Sequence, residues 1–336
     1  MKITELLQEA VKSYDEMKYD DAVLYLETVL EINENNYEAL VMLTKIYTGA
    51  GFYREALKYC ERAYKNNKED PLLLFNMGYI HQSLGKPKKA INFYKKYMEF
   101  EEDYHVFLNI GLSYMDMKYY KKAVNIINDA IKMEPEIPDG YLDKAECLIR
   151  QEKYDEAVEI YEDILKKSEN KVEEYYIYTK IADVKDRKGD IKGAEHNYNI
   201  AINFENADEY VYEAFYEFLL RERKYEEIEL LLINYANSHL SREKSLNLEG
   251  RYAAYVEDFQ RAKKICEKLL ILNPENPLHY FNSAYISEML KDFDKALEFI
   301  KKAENKTDDK ELIKNARKRI MKSKREHTKL MKQSGK

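Results

Sequence analysis

Apolar residues recur along the chain in patterns that predict pairs of helices. In stretches such as 280–306, apolar or aromatic residues return every three or four positions, which is the spacing of one helical face. The pentapeptide "KYDEA" at 153–157 opens one such stretch, and close copies stand elsewhere, for example "KYDDA" at 18–22. We expect the aromatic and the last residue of each copy to face a core, and the charged residues to face water.

The last residue of each copy serves as an anchor, and the anchors are almost evenly spaced. The successive differences are 34, 34, 33, 34, 37, 34, 34 and 34. The anchors are Ala22, Ala56, Ala90, Ala123, Ala157, Ala194, Ile228, Ala262 and Ala296. A fixed period of this size predicts a solenoid of two-helix repeats.

Positions at constant distances from the anchors predict how the two helices of a repeat cross. Large apolar or aromatic residues stand sixteen before each anchor, and seven of the nine residues twelve before are Ala or Gly. A small residue there lets a second backbone approach closely. The seventh repeat departs from this pattern with Tyr216 and Ile228, so we expect a looser crossing there. Three additional residues near 171–174 are expected to lengthen the linker before the sixth repeat.

Residues 280–306 and 107–135 resemble the tetratricopeptide repeat, although Leu, Phe or Tyr replaces the usual tryptophan of the first helix. The resemblance covers about residues 3 to 310 and implies an all-α fold, a right-handed α-α superhelical solenoid with a C-terminal capping helix. The nine repeats are predicted at 3–36, 37–70, 71–103, 104–137, 138–171, 175–208, 209–242, 243–276 and 277–310. A capping helix at 311–321 and a basic tail at 322–336 follow.

The resemblance implies a non-catalytic scaffold or adaptor that binds a peptide or a partner segment on a concave face. The six histidines form no helix-spaced pair, and the three cysteines have no metal-ligand spacing. We therefore expect no catalytic residues, no metal and no cofactor. Two alternatives stay open: a peptide-sensing regulator whose superhelix responds to its ligand, and a nucleic-acid-associated adaptor that uses the basic C-terminus.

Family geometry places the positions fifteen, eleven and eight before each anchor on the concave side. In the first four repeats these positions predict an apolar peptide-binding groove formed by Leu7, Val11, Tyr14, Val41, Phe75, Tyr79, Leu108, Leu112 and Met115, with Lys45 as the charged exception. In the middle repeats they predict an acidic groove formed by Glu146, Asp183, Asp186, Glu213 and Glu217, with Asp139 and Asp143 nearby. An apolar groove fits an apolar peptide, and an acidic one would steer a basic segment.

Chaperone-binding members of the family clamp a C-terminal carboxylate with lysine, arginine and asparagine side chains. The corresponding positions here hold Leu7 and Val11, then Met42, then Leu72 and Asn76, so the cations are missing. Carboxylate-clamp binding of chaperones is therefore not expected. The partner is predicted to be a protein or a peptide.

Charge is distributed unevenly along the chain. Eleven cations and two acids between 310 and 336 give this segment a charge of +9, against a total of −7, so the remainder carries −16. Its cations include Arg317, Lys318, Arg319, Lys322, Lys324 and Arg325. A solvated cap explains such a face, and nucleic acid, an anionic membrane surface or the acidic groove are alternative targets. No apolar run is long enough to span a bilayer, and a cytoplasmic location is expected.

Overall fold

The computed structural model describes residues 2–167 and 172–334, and the regular structure in these ranges is entirely α-helical. The chain divides into two compact units, Met1–Asn197 (unit 1) and Tyr198–Lys336 (unit 2). The described residues form nineteen helices. This confirms the predicted all-α fold.

The helices of unit 1 are α1 (Ile3–Asp15), α2 (Tyr19–Ile32), α3 (Tyr37–Gly49), α4 (Tyr53–Asn66), α5 (Pro71–Ser83), α6 (Pro87–Tyr97), α7 (Tyr104–Asp116), α8 (Tyr120–Met133), α9 (Pro138–Ile149), α10 (Tyr154–Lys166) and α11 (Glu174–Lys188). The boundary between the units falls within α12 (Ile191–Ile202). Unit 2 continues with α13 (Glu209–Arg221), α14 (Tyr225–Asn237), α15 (Arg242–Tyr255), α16 (Phe259–Leu272), α17 (Pro277–Met289), α18 (Phe293–Glu304) and α19 (Lys310–Gln333).

Packing in unit 1 follows the order of the chain. Helices α1 and α2, α3 and α4, α5 and α6, and α7 and α8 pack as pairs, and the second helix of each pair packs on the first helix of the next. The first helices also meet one another, α3 with α5, α5 with α7 and α7 with α9. First helices therefore share one face of the unit, as expected for stacked two-helix repeats.

The anchors and the crossing positions form the core. Every anchor is at most 1% exposed. At the crossing positions Gly78 and Gly111, a Cβ atom would lie 2.5 Å from the Tyr94 ring and 2.6 Å from Ile127 Cγ1. Glycine is required there because the facing helix leaves no room for a side chain.

A left-handed residue ends the first helix of every pair, five positions before the anchor. Three of these residues are glycines, Gly51, Gly85 and Gly189. The other six are not glycines, and their φ angles lie between 57° and 66°; they are Met17, Lys118, Glu152, Arg223, Glu257 and Lys291. In most of these turns the next N–H donates to the carbonyl five residues back, for example Lys18 to Ser13 at 2.8 Å.

The seventh helix pair, α13 and α14, crosses less closely than α1–α2 or α7–α8, as expected. Tyr216 is 1% exposed at the position where α5 and α7 have glycine. Fewer backbone positions of α13 and α14 approach each other than in α1–α2 or α7–α8. The tyrosine fills the additional space, and Tyr212 stacks on Tyr235 with ring centroids 4.4 Å apart.

Helix α19 does not end where the sequence pattern divides cap from tail. It runs without interruption from Lys310 to Gln333, so residues 322–333 of the predicted tail belong to the capping helix. No Gly or Pro stands between 310 and 333, and the residues after Met321 are mostly good helix formers. Residues 335–336 of the predicted tail, and residue 171 of the linker insertion predicted near 171–174, lie outside the described ranges. The repeat boundaries remain predictions.

Candidate functional site

A cavity of about 590 Å³ lies on the first-helix face of unit 1. We call it the unit 1 cavity. It is lined by Thr48, Phe75, Asn76, Tyr79, His105, Leu108, Asn109, Leu112, Asp139, Leu142 and Asp143. Ten of these eleven residues belong to α5, α7 and α9, so three consecutive first helices form its wall.

The residues of α5, α7 and α9 that line the unit 1 cavity stand at regular distances before the anchors, and two of these four distances were predicted from the sequence. The positions fifteen and eleven before the anchors line the cavity, for example Phe75 and Tyr79. The positions eighteen and fourteen before them do so as well, for example His105 and Asn109. These four positions have the spacing i, i+3, i+4, i+7, which is one face of a helix. Extending the predicted face by this spacing would have found the missed residues.

The apolar wall of the unit 1 cavity is held by ring packing. The Phe75 ring lies edge-on to Tyr94 and to Tyr97, at centroid distances of 6.1 and 6.0 Å. Tyr79 is 37% exposed and packs against the Tyr53 ring at 6.2 Å. Leu108 is only 7% exposed and belongs to a core cluster that includes Ala123 and Ile127 of α8. The wall is therefore preformed, and a ligand would reach Leu108 only at its edge.

The other predicted apolar residues do not join this cavity. Leu7 and Val11 line a separate cavity of about 680 Å³ on α1. Tyr14, Val41 and Met115 pack against core clusters and line neither of the two cavities. Thr48, eight before its anchor, lines the unit 1 cavity, whereas Tyr14 at the same repeat position packs on Tyr19, and the Lys45 ammonium lies 4.5 Å from the Tyr14 ring centroid.

One wall of the unit 1 cavity is acidic. Asp143 is half-buried, and within the described residues its carboxylate has neither an ion pair nor a side-chain hydrogen bond. Burial, followed by the charges of Asp139 and Glu146, raises the pKa of Asp143 to about 6. Opposite it, Tyr104 of α7 accepts a hydrogen bond from the Gly140 N–H at 3.1 Å and joins α7 to α9. Asp143 is therefore a carboxylate held in an environment that disfavours its charge.

The predicted acidic groove is distributed over both units. Glu146, Asp183 and Asp186 belong to unit 1, whereas Glu213 and Glu217 lie on α13 of unit 2. Glu146 forms an ion pair with Arg150 at 2.7 Å, and Glu217 forms one with Arg251. None of the five lines the unit 1 cavity, whose carboxylates are Asp139 and Asp143.

Unit 2 has a cavity of about 570 Å³ that the sequence analysis missed. We call it the unit 2 cavity. Asn247 and Arg251, fifteen and eleven before their anchor, line it together with Tyr216, Asn282 and Tyr285. The Arg251 guanidinium lies 5.3 Å from the Tyr216 ring centroid. The same helix positions therefore carry amide, cationic and aromatic groups in unit 2.

A buried polar network supports one side of the unit 2 cavity. His279, 1% exposed, has its Nε2 2.9 Å from Glu243 Oε1, and the Glu243 carboxylate accepts hydrogen bonds from Asn276 and Asn273 at 2.9 and 3.1 Å. The bonds from Asn276, Asn273 and His279 lower the pKa of Glu243. The network joins α15 to the start of α17.

The predicted basic residues lie on α19 and divide between its two faces. Arg317, Arg319 and Lys324 pair with acids of α17 and α18, whereas Lys318, Lys322 and Arg325 point outward. Among the described residues, no helix is both long and apolar enough to cross a membrane.

Comparisons with known proteins agree with this architecture. Models of the tetratricopeptide repeat match residues 72–104, 114–179 and 247–310. A TPR repeat-containing protein of Methanocaldococcus jannaschii is 28% identical over 210 residues, which is 57% of this chain and 36% of that protein. The chain thus spans about a third of the length of this curated relative.

Solved structures show the same fold. A tetratricopeptide repeat protein from Parabacteroides merdae superposes with a TM-score of 0.54 at 18% identity, covering 95% of this chain and 98% of that one. PilW, a type IV pilus biogenesis factor, gives a TM-score of 0.53 at 14% identity over 63% of this chain and 98% of its own. The repeat matches, the stacked helix pairs and the fold of these neighbours agree: the chain is built of tetratricopeptide repeats.

Proposed function

We propose that the chain is an interaction scaffold that holds a peptide segment in the unit 1 cavity, and that the segment carries a large apolar side chain beside a lysine or arginine. The tetratricopeptide fold supports a general role in protein interaction, and proteins built from it are generally non-catalytic. One observation carries the finer proposal: an apolar wall and a carboxylate without an ion pair share one cavity.

The size and the lining of the cavity suit a peptide side chain. Its volume of about 590 Å³ lies within the range of roughly 300–1,000 Å³ that is typical of ligand pockets. Phe75, Tyr79 and Leu112 leave apolar surface exposed to water, and the rings of Phe75 and Tyr79 are held by contacts with other aromatic rings. An apolar anchor that covers this surface gains the free energy of burial without ordering the wall first.

The electrostatics of the cavity favour a basic neighbour for that anchor. Asp139 and Asp143 repel each other and raise the cost of ionising Asp143. An ammonium or guanidinium group placed beside Asp143 would relieve this repulsion and lower its pKa again. A carboxylate ligand would increase the repulsion, which agrees with the absence of the carboxylate-clamp cations.

Two amides complete the chemistry of the site. Asn76 and Asn109 line the cavity fourteen positions before their anchors, and within the described residues their side chains are not used in hydrogen bonds. Each side chain has both donors and an acceptor, which is what the backbone of an extended peptide requires. We propose that these two amides fix the ligand backbone while the apolar wall and Asp143 select its side chains.

Selection from a random peptide library on the full chain tests this proposal. We expect enriched peptides to contain an aromatic or large aliphatic residue within a few positions of Lys or Arg. The double variant Tyr79→Ala/Leu112→Ala should weaken their binding by roughly 30-fold, as expected for loss of about 2 kcal/mol at a central contact. Isothermal titration calorimetry measures this loss.

Matched variants separate a local effect from a global one. Leu24→Ala/Tyr119→Ala removes the same two residue types from exposed positions elsewhere and should leave binding unchanged. Asp143→Asn should reduce binding of basic peptides and remove the rise in affinity as the pH increases through about 6. Enrichment of acidic peptides, or equal losses in the two double variants, would contradict the proposal.

A further inference from the structure

Helix α19 carries two sets of cations with different surroundings. Three cations point toward the neighbouring helices: Arg317 pairs with Glu304 at 3.0 Å, Arg319 with Glu288 at 3.0 Å and Lys324 with Asp294 at 2.5 Å. Glu288 is 3% exposed and also accepts a hydrogen bond from Ser323 at 2.7 Å. Together with the buried side chains of Ile313 and Ile320, these pairs hold α19 on α17 and α18.

The second set forms a row on the opposite face, which we call the cationic stripe. It consists of Lys314, Lys318, Lys322, Arg325, Lys329 and Lys332. The spacings of 4, 4, 3, 4 and 3 residues keep all six on one side of the helix. All six are exposed, and within the described residues their only ion pair is a long one of 3.9 Å between Lys322 and Glu326.

Capping the repeats does not require the cationic stripe. The cap needs an apolar inner face and a polar outer face, and any mixture of polar residues would satisfy the latter. Residues 1–309 carry a net charge of −16, yet none of the described acids beyond α19 pairs with the stripe. The stripe is thus a local positive surface on an otherwise acidic protein.

We propose that the cationic stripe binds the phosphate backbone of double-stranded nucleic acid without reading its sequence. From Lys314 to Lys332 the row extends over about 27 Å of helix, at 1.5 Å per residue. A duplex presents about one phosphate charge per 1.7 Å of its axis, so several phosphates lie within reach of this rigid row. Because α19 is already folded, its six cations can neutralise phosphates without the chain having to become ordered on binding.

The surroundings of the stripe favour a duplex over other anionic partners. Helix α19 contains no Phe, Tyr or Trp, and single-stranded nucleic acids are generally held by stacking on aromatic rings. The apolar face of α19 is covered by α17 and α18 as far as Ile320, so the helix cannot turn this face into a bilayer while it remains a cap.

Binding of a short fluorescent duplex to the full chain, followed by anisotropy as a function of salt, tests this proposal. With four to six phosphates neutralised, the logarithm of the association constant should fall with a slope of about −4 to −5 against the logarithm of salt concentration. The triple variant Lys318→Gln/Lys322→Gln/Arg325→Gln should weaken binding at least tenfold and flatten this slope by up to about 2.7.

Two controls make the result specific to the stripe. Lys58→Gln/Lys88→Gln/Lys121→Gln removes the same charge from exposed positions of unit 1 and should preserve both affinity and slope. Lys318→Arg/Lys322→Arg retains the charge and should retain binding, while the helical circular dichroism signal reports that each variant is folded.

Three outcomes would overturn the proposal. The first is no binding of DNA or RNA duplexes at about 50 mM salt. The second is an equal loss of affinity in the unit 1 control, which would mean that net charge alone is responsible. The third is binding to vesicles containing anionic phospholipid, lost in the triple variant, with no binding of duplexes; this would assign the stripe to a membrane surface.

Discussion

The cavities of unit 1 and unit 2 use the same positions of the repeat but differ in chemistry. Fifteen and eleven before the anchor, unit 1 has Phe75 and Tyr79, whereas unit 2 has Asn247 and Arg251. The two units also differ at the crossing position of other helices: α7 of unit 1 has Gly111, whereas α13 of unit 2 has Tyr216. The stacked backbone therefore decides where a cavity lies. Individual side chains decide which ligand the cavity can hold and how closely the helices cross.

The largest expected effect on stability comes from truncating Tyr216, the side chain that separates α13 from α14 in unit 2. Tyr216→Ala should lower the free energy of unfolding by about 3–5 kcal/mol, because it leaves a cavity under a side chain that is 1% exposed. Denaturant unfolding measures the loss. Tyr255→Ala, at an exposed position of the same unit 2 cavity, should cost less than about 1 kcal/mol. Similar costs for the two variants would show that Tyr216 does not support the crossing.

Adding a methyl group at a glycine crossing position tests how closely α7 and α8 pack in unit 1. Gly111→Ala should cost about 1–3 kcal/mol, since the added Cβ atom would lie 2.6 Å from Ile127 Cγ1. Gly49→Ala is the matched control: its Cβ atom would meet nothing within 4 Å, and helix propensity should make this variant more stable by up to about 1 kcal/mol. The two changes should therefore shift the thermal midpoint in opposite directions. Two shifts of the same sign would contradict the packing argument.

The acidic wall predicts a pH dependence confined to unit 1. A folded-state pKa of about 6, against 3.8 for an unperturbed aspartate, means that the folded protein binds this proton more tightly than the unfolded chain. Asp143 therefore contributes to the free energy of unfolding at low pH, and this contribution is lost as the pH rises from about 4 through 6. The loss is at most about 3 kcal/mol, and it is smaller than this because Asp143 is partly exposed.

Asp143→Asn should accordingly stabilise the protein at pH 7.5, and the difference from the unsubstituted chain should vanish near pH 4. Unfolding curves over this range measure the difference. Asp116→Asn, at an exposed position of α7, should show no such trend. A constant difference at all pH values would mean that burial does not perturb Asp143.

The smallest expected effects concern the turns, which are alike in both units. Arg223→Gly should raise the free energy of unfolding by about 1 kcal/mol, because glycine adopts a φ of 57° without steric cost. Gly51→Ala should lower it by a similar amount, since its φ is 77° and its Cβ atom would have open space, so that only backbone strain is added. Chemical denaturation can resolve both changes. A loss of stability in Arg223→Gly would point to side-chain contacts of this residue.

Part of the candidate site could be predicted from the spacing of residues alone. The positions fifteen and eleven before the anchors led to Phe75, Tyr79 and Leu112, which line the unit 1 cavity. Leu108 follows the same rule, yet it is largely buried within a core cluster. Asn247 and Arg251 obey the rule in unit 2, but they are polar, so an apolar pattern does not single them out.

The turns show a similar limit. Gly51, Gly85 and Gly189 indicate left-handed residues by their type, but Met17, Lys118 and Glu152 adopt the same conformation without any local signal. Packing of the two helices stabilises each turn by more than the strain of one residue, so the sequence need not provide glycine. The length of α19 was missed for another reason: a change from apolar to basic composition does not end a helix.

The sequence by itself determined the number and order of the helices, the period of the repeats and the core positions at which they meet, because helical periodicity and burial are recorded in every repeat. Only the tertiary structure decided which carboxylates lie in the unit 1 cavity without ion pairs, which cations of α19 are paired and which form the cationic stripe, and how Tyr216 opens the crossing in unit 2. These properties depend on groups that approach from neighbouring repeats, and the period of one repeat contains no information about them.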